Sequence, residues 1–489
     1  MTLKKSLEDI VGPQNVFNDQ ETLHPYSKDQ SFVSPAKPDF VIFPQSTEEI
    51  QEITRLANRH KTPLIPFSSG LNFYGATIPS HGGIMVNLSK MDKILSIDEE
   101  NWFVVIEPGV TYEQLQDALS KKNLRAMIPL GVPPKRTVLS STLERDPALA
   151  AASFEYGNDL MLDTEIVLPE GDLFRTGLWA AGGGPGSHMG PVRALLYRFF
   201  TGAQGTFGIM TKMALQVEYR PERQQIFFIP FSSLEDSLEA TKQIQRKEVG
   251  LECFLLNRLN LASLFCQDWN IPEEFPSKKI SSDHVKELLD VLPPWVLIIC
   301  LTGSPRFPEE KIDYEKDTLM NIASQLNIHV HTTIPPLKNA DAYVSDFLLR
   351  PWDILKKFRF KGSVHSLSFK SPLARVPEFE SMIHHASEEH HYPIQHIGGY
   401  LLPIERGRAV HLEFDFHCDL SNPEDVKQVK NLYLRCSEAL IQSGAFFDRP
   451  YGPWAEMMYK RTGTYTKKLK ELKNELDPNH IMNPGKLCF

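Results

Sequence analysis

The segment "PDFVIFPQSTEEIQEITRLANRHKTPLIPFSSGLNFYG", Pro38 to Gly75, constrains the chain most. "DFVIFP" has the length and composition of a short strand. A helix start follows, with Ser46 at the N-cap position and Glu49 in the first turn. Ile50, Ile53, Leu56 and Ala57 then recur at helical spacing and give one apolar face. "TPLIPF" supplies the next strand, whose end opens into Ser68, Ser69 and Gly70. Strand, helix and strand in this order place the loop at the carboxyl end of a strand, where ligands bind in α/β units. A turn so dense in small residues lets backbone amides approach a partner closely.

Further along, "IMVNL" and "WFVVIEPG" read as two antiparallel-type strands, followed by a helix capped by Thr111. "LMLDTEIVLPEGDLFRTG" reads as a hairpin turning at Pro169-Glu170-Gly171, and "GTFGIMTKMALQV" as a strand introduced by a tight glycine pair. After Tyr219-Arg220-Pro221 the texture changes to longer helices and scattered strands, so a domain boundary falls there. With 489 residues, at least two domains are expected. The chain ends on an amphipathic helix stopped by Asp477-Pro478 and an apolar tail. The charge run "KKLKELKNEL" within it reads as a solvated helix face.

Several function classes are excluded. A net charge of −9 without a basic stripe argues against nucleic acid as a partner. No apolar run approaches a membrane span, and "WVLIICL" has strand length. The amino terminus lacks an apolar signal core. The six cysteines lie far apart without a C-x-x-C pair, so reduced thiols in a cytoplasmic enzyme are expected, and no metal site. "AAGGGPGSHMG", Ala180 to Gly190, lacks the Gly-Lys-Ser/Thr ending of a phosphate loop and reads as a surface loop or substrate lid. His384, His385, His390, His391 and His396 read as a solvated face, because sequence neighbours do not converge on one ion. In "AVHLEFDFHCD", His411, Glu413, Asp415 and His417 alternate with Leu412, Phe414 and Phe416. That polar face is either solvated or the wall of a cavity where a carboxylate and an imidazole do acid–base work.

Taken together, the Pro38–Gly70 unit, "FVVIEPGVTYEQLQDAL", "MLDTEIVLPEGDLFRTG", "GAQGTFGIMTKMAL" and the terminal "LDPNHIMNPGK" resemble the vanillyl-alcohol oxidase / p-cresol methylhydroxylase family of FAD-linked enzymes, in that family's order and spacing. The resemblance covers most of residues 20–220 and 440–489. It implies an α+β fold: a two-part FAD-binding domain of the p-cresol methylhydroxylase type, residues 1–219 and 448–489, and a substrate cap, residues 220–447, whose large antiparallel sheet covers the flavin. An amide nest from Ser68, Ser69, Gly70, Leu71 and Asn72 suits a pyrophosphate, since backbone N–H groups can surround an anion. Pro66, Gly75, Pro108, Gly109, Ser140, Ser141, Gly205, Gly208 and Ile209 complete the implied cofactor set, with Thr206 beside them.

The resemblance also assigns a catalytic set. Tyr74 and Tyr451 match the two tyrosines that hold a substrate phenolate, His411 falls near an active-site histidine, and Glu413 and Asp415 join it on the cavity wall. The sequence departs from the family in three places. Gly452 follows Tyr451 where the phenol-oxidising branch has an arginine, with Arg449 nearby as a substitute. The carboxylate expected near flavin N5 falls on Pro134. The position that carries a histidyl flavin link in one branch falls on Leu367, with His365 two residues away. Noncovalent FAD is expected, a covalent link through His365 being the alternative. The implied activity is hydride transfer from a small aromatic substrate, a 4-alkylphenol or aryl alcohol, to FAD. A 2-hydroxy-acid dehydrogenase of the same fold is one alternative, although the metal motif and Gly-Asp-Gly-Asn-like turn of that branch are absent. An electron-transfer subunit of a larger complex is the other. A cytochrome or other electron-acceptor subunit and self-association as a homo-oligomer are the implied partnerships.

Overall fold

The computed structural model describes residues 2–71, 73–152, 160–184, 195–303 and 305–489. The opening unit forms as its sequence dictates. The Ser46 side chain accepts the Glu49 N–H at 3.2 Å, and the Glu49 carboxylate accepts the Gln45 N–H at 2.7 Å. The Thr47–His60 helix then buries Ile50, Ile53, Leu56 and Ala57 against Leu7, Val11, Leu64 and Ile84. Beside it lies a four-stranded sheet. Strands Phe40–Ile42 and Leu64–Phe67 each run parallel to Ile84–Asn87 between them, and Val16–Phe17 closes one edge antiparallel. Leu64–Phe67 holds the other edge and delivers the Ser68–Leu71 loop.

The "IMVNL" and "WFVVIEPG" strands are not an antiparallel pair. Ile84–Asn87 is buried along its whole length in the parallel sheet, whereas Phe103–Ile106 pairs antiparallel with Ile94–Asp98 in a second sheet. The Ile94–Asp98 strand escapes the pattern because it lies at a sheet edge, with Leu95 and Ser96 in solvent. The second sheet is five-stranded and antiparallel, in the order Ile94–Asp98, Phe103–Ile106, Ile209–Gln216, Met161–Val167, Leu173–Arg175. Its last two strands are the expected hairpin, with Gly171 at φ 85° in the turn. The Thr111 cap forms a full capping box with Gln114.

The scattered strands of the middle of the chain join into one six-stranded antiparallel sheet. Its order is Gln224–Phe231, Trp295–Thr302, Glu252–Asn257, Ile397–Ile404, Ala409–Cys418, Ser363–Ser371. Trp295–Thr302 is apolar throughout because apolar clusters cover both its faces. Ala409–Cys418 and the edge strand Ser363–Ser371 pair Asp415 with Ser366, Glu413 with Ser368 and His411 with Lys370. The alternate residues Leu367, Phe369, Leu412, Phe414 and Phe416 enter the core on the opposite face. The polar face of Ala409–Cys418 is therefore not solvated: His411, Asp415 and His417 are fully buried.

The terminal helix, Gly463–Leu476, stops at Asp477 as expected. Its charge run is not wholly solvated, since Lys473 is buried with its ammonium bound to Asp477 and two backbone carbonyls. The six cysteines are free and five are buried. Among the described residues no helix is long and apolar enough to cross a membrane, and no cluster of His, Cys, Asp and Glu could hold a metal ion. Residues 185–190 of the Ala180–Gly190 glycine-rich stretch lie outside the described residues.

Candidate active site

Two cavities flank the Arg136–Glu144 ion pair, Glu144 lining one and Arg136 the other. Pro66, Ser68, Ser69, Gly70, Leu71, Pro108, Ser140, Gly205, Gly208 and Ile209 line the first, a narrow cleft at the carboxyl end of the parallel sheet. Gly205 and Gly70 both have positive φ, and a Cβ on Gly205 would stand 2.7 Å from the Pro66 ring across the cleft floor. On the same wall the side-chain Nε2 of Gln204 is buried with no hydrogen-bond partner among the described residues. A buried unpaired donor beside a small-residue loop suits an extended ligand rich in acceptors, such as a dinucleotide.

Three members of the expected cofactor set, Gly75, Gly109 and Ser141, stand elsewhere. Gly75 turns the chain behind the cleft, its N–H donating to Asp29 Oδ2 at 2.8 Å and its carbonyl accepting from Lys486 Nζ at 2.9 Å. Gly109 packs against the carbonyls of Leu88, Ser89 and Met91, where no side chain would fit. Ser141 is buried and donates to Asp146 at 3.0 Å. Asn72 lies outside the described residues.

The second cavity lies between the six-stranded sheet and the loops of the cofactor half. Tyr74, Tyr451, Arg449 and Glu413 all line it, together with Arg136, Asp146, Lys357, Tyr400 and His365. The Tyr74 and Tyr451 rings meet edge to face, with centroids 5.8 Å apart. The Arg449 guanidinium lies over the Tyr74 ring at 5.6 Å, pairs with Asp146 and reaches Ser368 Oγ at 3.0 Å. Arg449 thus enters the cavity, and the backbone at Gly452 explains why an arginine does not come from that position. Gly452 has φ 52°, and a Cβ there would stand 3.2 Å from the Tyr74 carbonyl oxygen. Tyr451 Oη and Arg449 Nε have no hydrogen-bond partner among the described residues, although both are buried.

Pro134 carries no acid, and its carbonyl accepts the Glu113 N–H instead. The carboxylates come from the next helix and the turn after it. Asp146 and Glu144 both pair with Arg136, Arg136 and Asp146 lining the second cavity and Glu144 the first. Burial pushes Asp146 upward, but Arg136 and Arg449 outweigh it and hold the carboxyl below its ordinary range. Burial wins at Glu144, whose carboxyl is raised.

Behind Glu413 lies a chain of contacts. Lys370 Nζ stands 2.6 Å from His411 Nδ1, and His411 Nε2 stands 2.7 Å from Glu413 Oε1. Burial, reinforced by the Lys370 charge, lowers His411 to about 4, so the ring is neutral. The network then assigns the tautomer: Nδ1 accepts from the ammonium and Nε2–H donates to the carboxylate. Burial also lowers Lys370 to about 8. Burial raises Glu413, but the hydrogen bond from His411 and the charge of Lys357 outweigh it and keep it ionised. His411 and Asp415 do not reach the cavity. Asp415 is held by Lys357 Nζ at 2.7 Å, Asn260 Nδ2 at 3.1 Å and Ser366, and Lys357 is the member of that group on the cavity wall.

His365 lines the cavity and stacks on Phe32 with centroids 4.2 Å apart, while Leu367 is buried in the core. Burial lowers His365 to about 4, so it too is neutral. Tyr74 is raised to about 12 by burial despite Arg449, which keeps its phenol a hydrogen-bond donor.

Comparison with known proteins agrees with this architecture. A family model described as "FAD binding domain" matches residues 38–177. The chain is 24% identical to the glycolate oxidase subunit GlcD of Bacillus subtilis, over 99% of this chain and 96% of that protein. It is 24% identical to the 4-cresol dehydrogenase (hydroxylating) flavoprotein subunit of Pseudomonas putida, over 98% of this chain and 93% of that protein. Among solved structures, p-cresol methylhydroxylase with substrate bound matches 100% of this chain and 96% of its own, with TM-score 0.81 and 20% identity. The 4-ethylphenol oxidase from Gulosibacter chungangensis matches 99% of this chain and 96% of its own, with TM-score 0.82 and 21% identity. Together with the cleft and the sheet-walled cavity, these matches give the chain an FAD-binding domain over residues 38–177 and the fold of p-cresol methylhydroxylase along its length, the architecture of FAD-linked oxidoreductases.

Proposed function

We propose that the enzyme oxidises a small neutral aromatic substrate, a 4-alkylphenol or aryl alcohol, in the cavity bounded by Tyr74, Tyr451, Arg449 and Glu413. In this reading residues 1–219 and 448–489 hold FAD, with the Ser68–Leu71 loop and Gly205–Ile209 around it, and residues 220–447 form the cap. FAD bound there supplies the hydride acceptor. The chain's own groups do the rest: Tyr451 Oη and Tyr74 orient the substrate oxygen, Arg449 stabilises negative charge on it, and Glu413 accepts its proton. His411 orients Glu413 and keeps it ionised. The carrying observation is that Tyr451 Oη and Arg449 Nε are buried, have no hydrogen-bond partner among the described residues, and belong to residues on the same cavity as Glu413.

The charge pattern separates this substrate from a 2-hydroxy acid. Arg136 and Arg449 share Asp146, Lys357 is paired with Asp415, and Lys370 lies 3.8 Å from Asp448. Among the described residues the cations lining the cavity, Arg136, Lys357 and Arg449, each face a carboxylate, and Glu413 adds a further negative charge on the wall. A carboxylate substrate would bring a second full negative charge beside Glu413, whereas a phenol or alcohol enters neutral and gives up its proton to that carboxylate. Anaerobic mixing with 4-alkylphenols, aryl alcohols, glycolate and D-lactate tests this by the bleaching of the flavin band. Bleaching confined to glycolate or D-lactate transfers the assignment to hydroxy acids.

FAD is held noncovalently in this reading, with His365 stacked on Phe32. Yellow colour carried down with acid-precipitated protein would instead assign a covalent link, with His365 the residue to replace. Electrons leave to a separate acceptor subunit such as a cytochrome, as the word "subunit" in the name of the cresol relative suggests. Rapid reoxidation of the reduced protein by air would replace that acceptor with oxygen.

A further inference from the structure

The last residues of the chain touch the cofactor cleft from behind, at both walls. Ile481 and Met482 are fully buried, and Met482 bridges Leu64 on the open edge of the parallel sheet. Leu64 N donates to Ile481 O at 2.7 Å, and Asn483 N donates to Leu64 O at 2.9 Å. The tail is thus an added strand segment on the strand that delivers the Ser68–Leu71 loop. Three side chains then reach past it. Asn483 Nδ2 donates to Ala76 O at 3.1 Å and to Gln204 O at 2.7 Å. Ala76 and Gln204 both line the cleft, so one amide ties the loop after Tyr74 to the loop before Gly205. Lys473 Nζ donates to Thr206 O at 2.5 Å and to Met482 O at 3.0 Å, with Asp477 as its counter-ion at 2.6 Å. Lys486 Nζ donates to Gly75 O at 2.9 Å and Ile78 O at 2.7 Å.

These donors hold backbone carbonyls of two loops that are far apart in sequence and have no secondary structure of their own to keep them in register. Buried carbonyls bound by ammonium and amide groups form strong, orienting bonds. The loops they fix carry the cleft lining, and Gly75 is the residue after Tyr74.

We infer that the tail from Lys473 to Lys486 is a clasp that positions both walls of the FAD cleft, so that tail docking and FAD binding are thermodynamically coupled. Lys473, Asn483 and Lys486 act as positioning residues; they hold loop carbonyls and not the cofactor. Coupling is reciprocal: the factor by which the docked tail tightens FAD is the factor by which FAD tightens tail docking. The inference rests on the assignment of FAD to this cleft.

The test uses full-length protein produced without riboflavin and titrated with FAD, followed by flavin fluorescence. Asn483→Gly is the informative variant, because Asn483 has φ 39° and glycine removes the amide without straining that backbone. It is expected to weaken FAD binding by roughly 5- to 150-fold, the usual range of coupling between sites, while the thermal midpoint of the apoprotein stays close to wild type. Hydrogen exchange should show FAD protecting residues 477–489 in the wild-type chain, with less protection in the variant. Lys473→Met should act in the same direction, and if that chain fails to fold, Asn483→Gly and Lys486→Met decide. Unchanged FAD affinity in Asn483→Gly, together with tail exchange indifferent to FAD, overturns the clasp. Ser69→Trp, which fills the cleft itself, separates the two levels. Wild-type FAD affinity in Ser69→Trp overturns the cleft assignment, whereas loss of FAD there with normal binding in Asn483→Gly overturns the clasp alone.

Discussion

Lys370 Nζ lies 2.6 Å from Nδ1 of His411, a lysine ammonium donating to a histidine in a site without solvent. The arrangement holds because the ring is neutral and offers its lone pair, while its other nitrogen donates to Glu413. Lys370→Met removes the donor and its charge. His411 is then expected to titrate above its present value of about 4, since burial and the weaker Arg449 charge alone continue to oppose its protonation. Protonating His411 adds positive charge beside Glu413 and makes it a weaker base. The acid limb of the kcat/KM profile should therefore move to higher pH, and an unmoved limb would mean that Lys370 does not tune this pair.

Glu413→Gln keeps the shape of the wall and the contact with His411, but removes the proposed proton acceptor. General-base groups contribute about 10²–10⁴-fold, so the rate of flavin reduction by the best aromatic substrate should fall by that order. The oxidised flavin spectrum and the melting temperature should stay near wild type. Stopped-flow reduction under nitrogen checks this, and a loss smaller than threefold assigns the proton to another group.

Arg449 bonds to Asp146 and Ser368 while lying over the Tyr74 ring. Arg449→Met leaves Asp146 with Arg136 as its remaining cation, and removing one partner of a buried pair costs about 3–5 kcal/mol. A clear fall in melting temperature is expected. Arg449→Lys keeps the charge but not the planar fork, so it should fold, with KM for phenols raised more than kcat is lowered. Thermal melts and steady-state kinetics on the two variants separate the structural share of this residue from its binding share.

Much of the cofactor half was legible because its signals are local. The Ser46 cap, the apolar face of the Thr47–His60 helix and the small-residue loop at Ser68–Gly70 each depend on residues a few positions apart. The cavity depends on contacts that no local pattern encodes. Arg136, Glu144 and Asp146 sit in "KRTVLSSTLERD", which has neither periodicity nor motif, and only the fold brings them to Arg449. Lys357 and Lys370 were missed for different reasons. Lys370 shares the alternation of Ser366 and Ser368, and the period-two rule that exposed the His411–Asp415 face could have found it. Lys357 lies in a helical turn, Asp353–Arg359, whose charges resemble an ordinary solvated surface. Lys473 was misread for the same reason: a lysine among lysines gives no sign that its ammonium is enclosed. The antiparallel reading of Ile84–Asn87 failed because a four-residue apolar run is the same in either sheet type, and the parallel partner lies across a helix.

Acid stability follows from three buried imidazoles. Burial lowers His365 and His411 to about 4 and His417 to about 3. In the unfolded chain each would titrate near 6.5. Between that pH and the folded values the unfolded state binds more protons than the folded one, so stability rises with pH across this window and falls as pH drops through it. Each histidine contributes a slope of at most about 1.4 kcal/mol per pH unit. Neither ring nitrogen of His417 has a hydrogen-bond partner among the described residues, and Phe360 stands edge-on to it at 5.1 Å. Its neutral ring therefore acts as a packing group. Replacing it by a similar volume without a basic nitrogen, His417→Leu, should flatten the dependence of the melting temperature on pH between about 6.5 and 4 while leaving flavin reduction intact. Melting curves at half-unit pH steps provide the check. An unchanged slope would show that His417 takes up no proton on acid unfolding, and would place the acid sensitivity on His365 and His411 at the cavity.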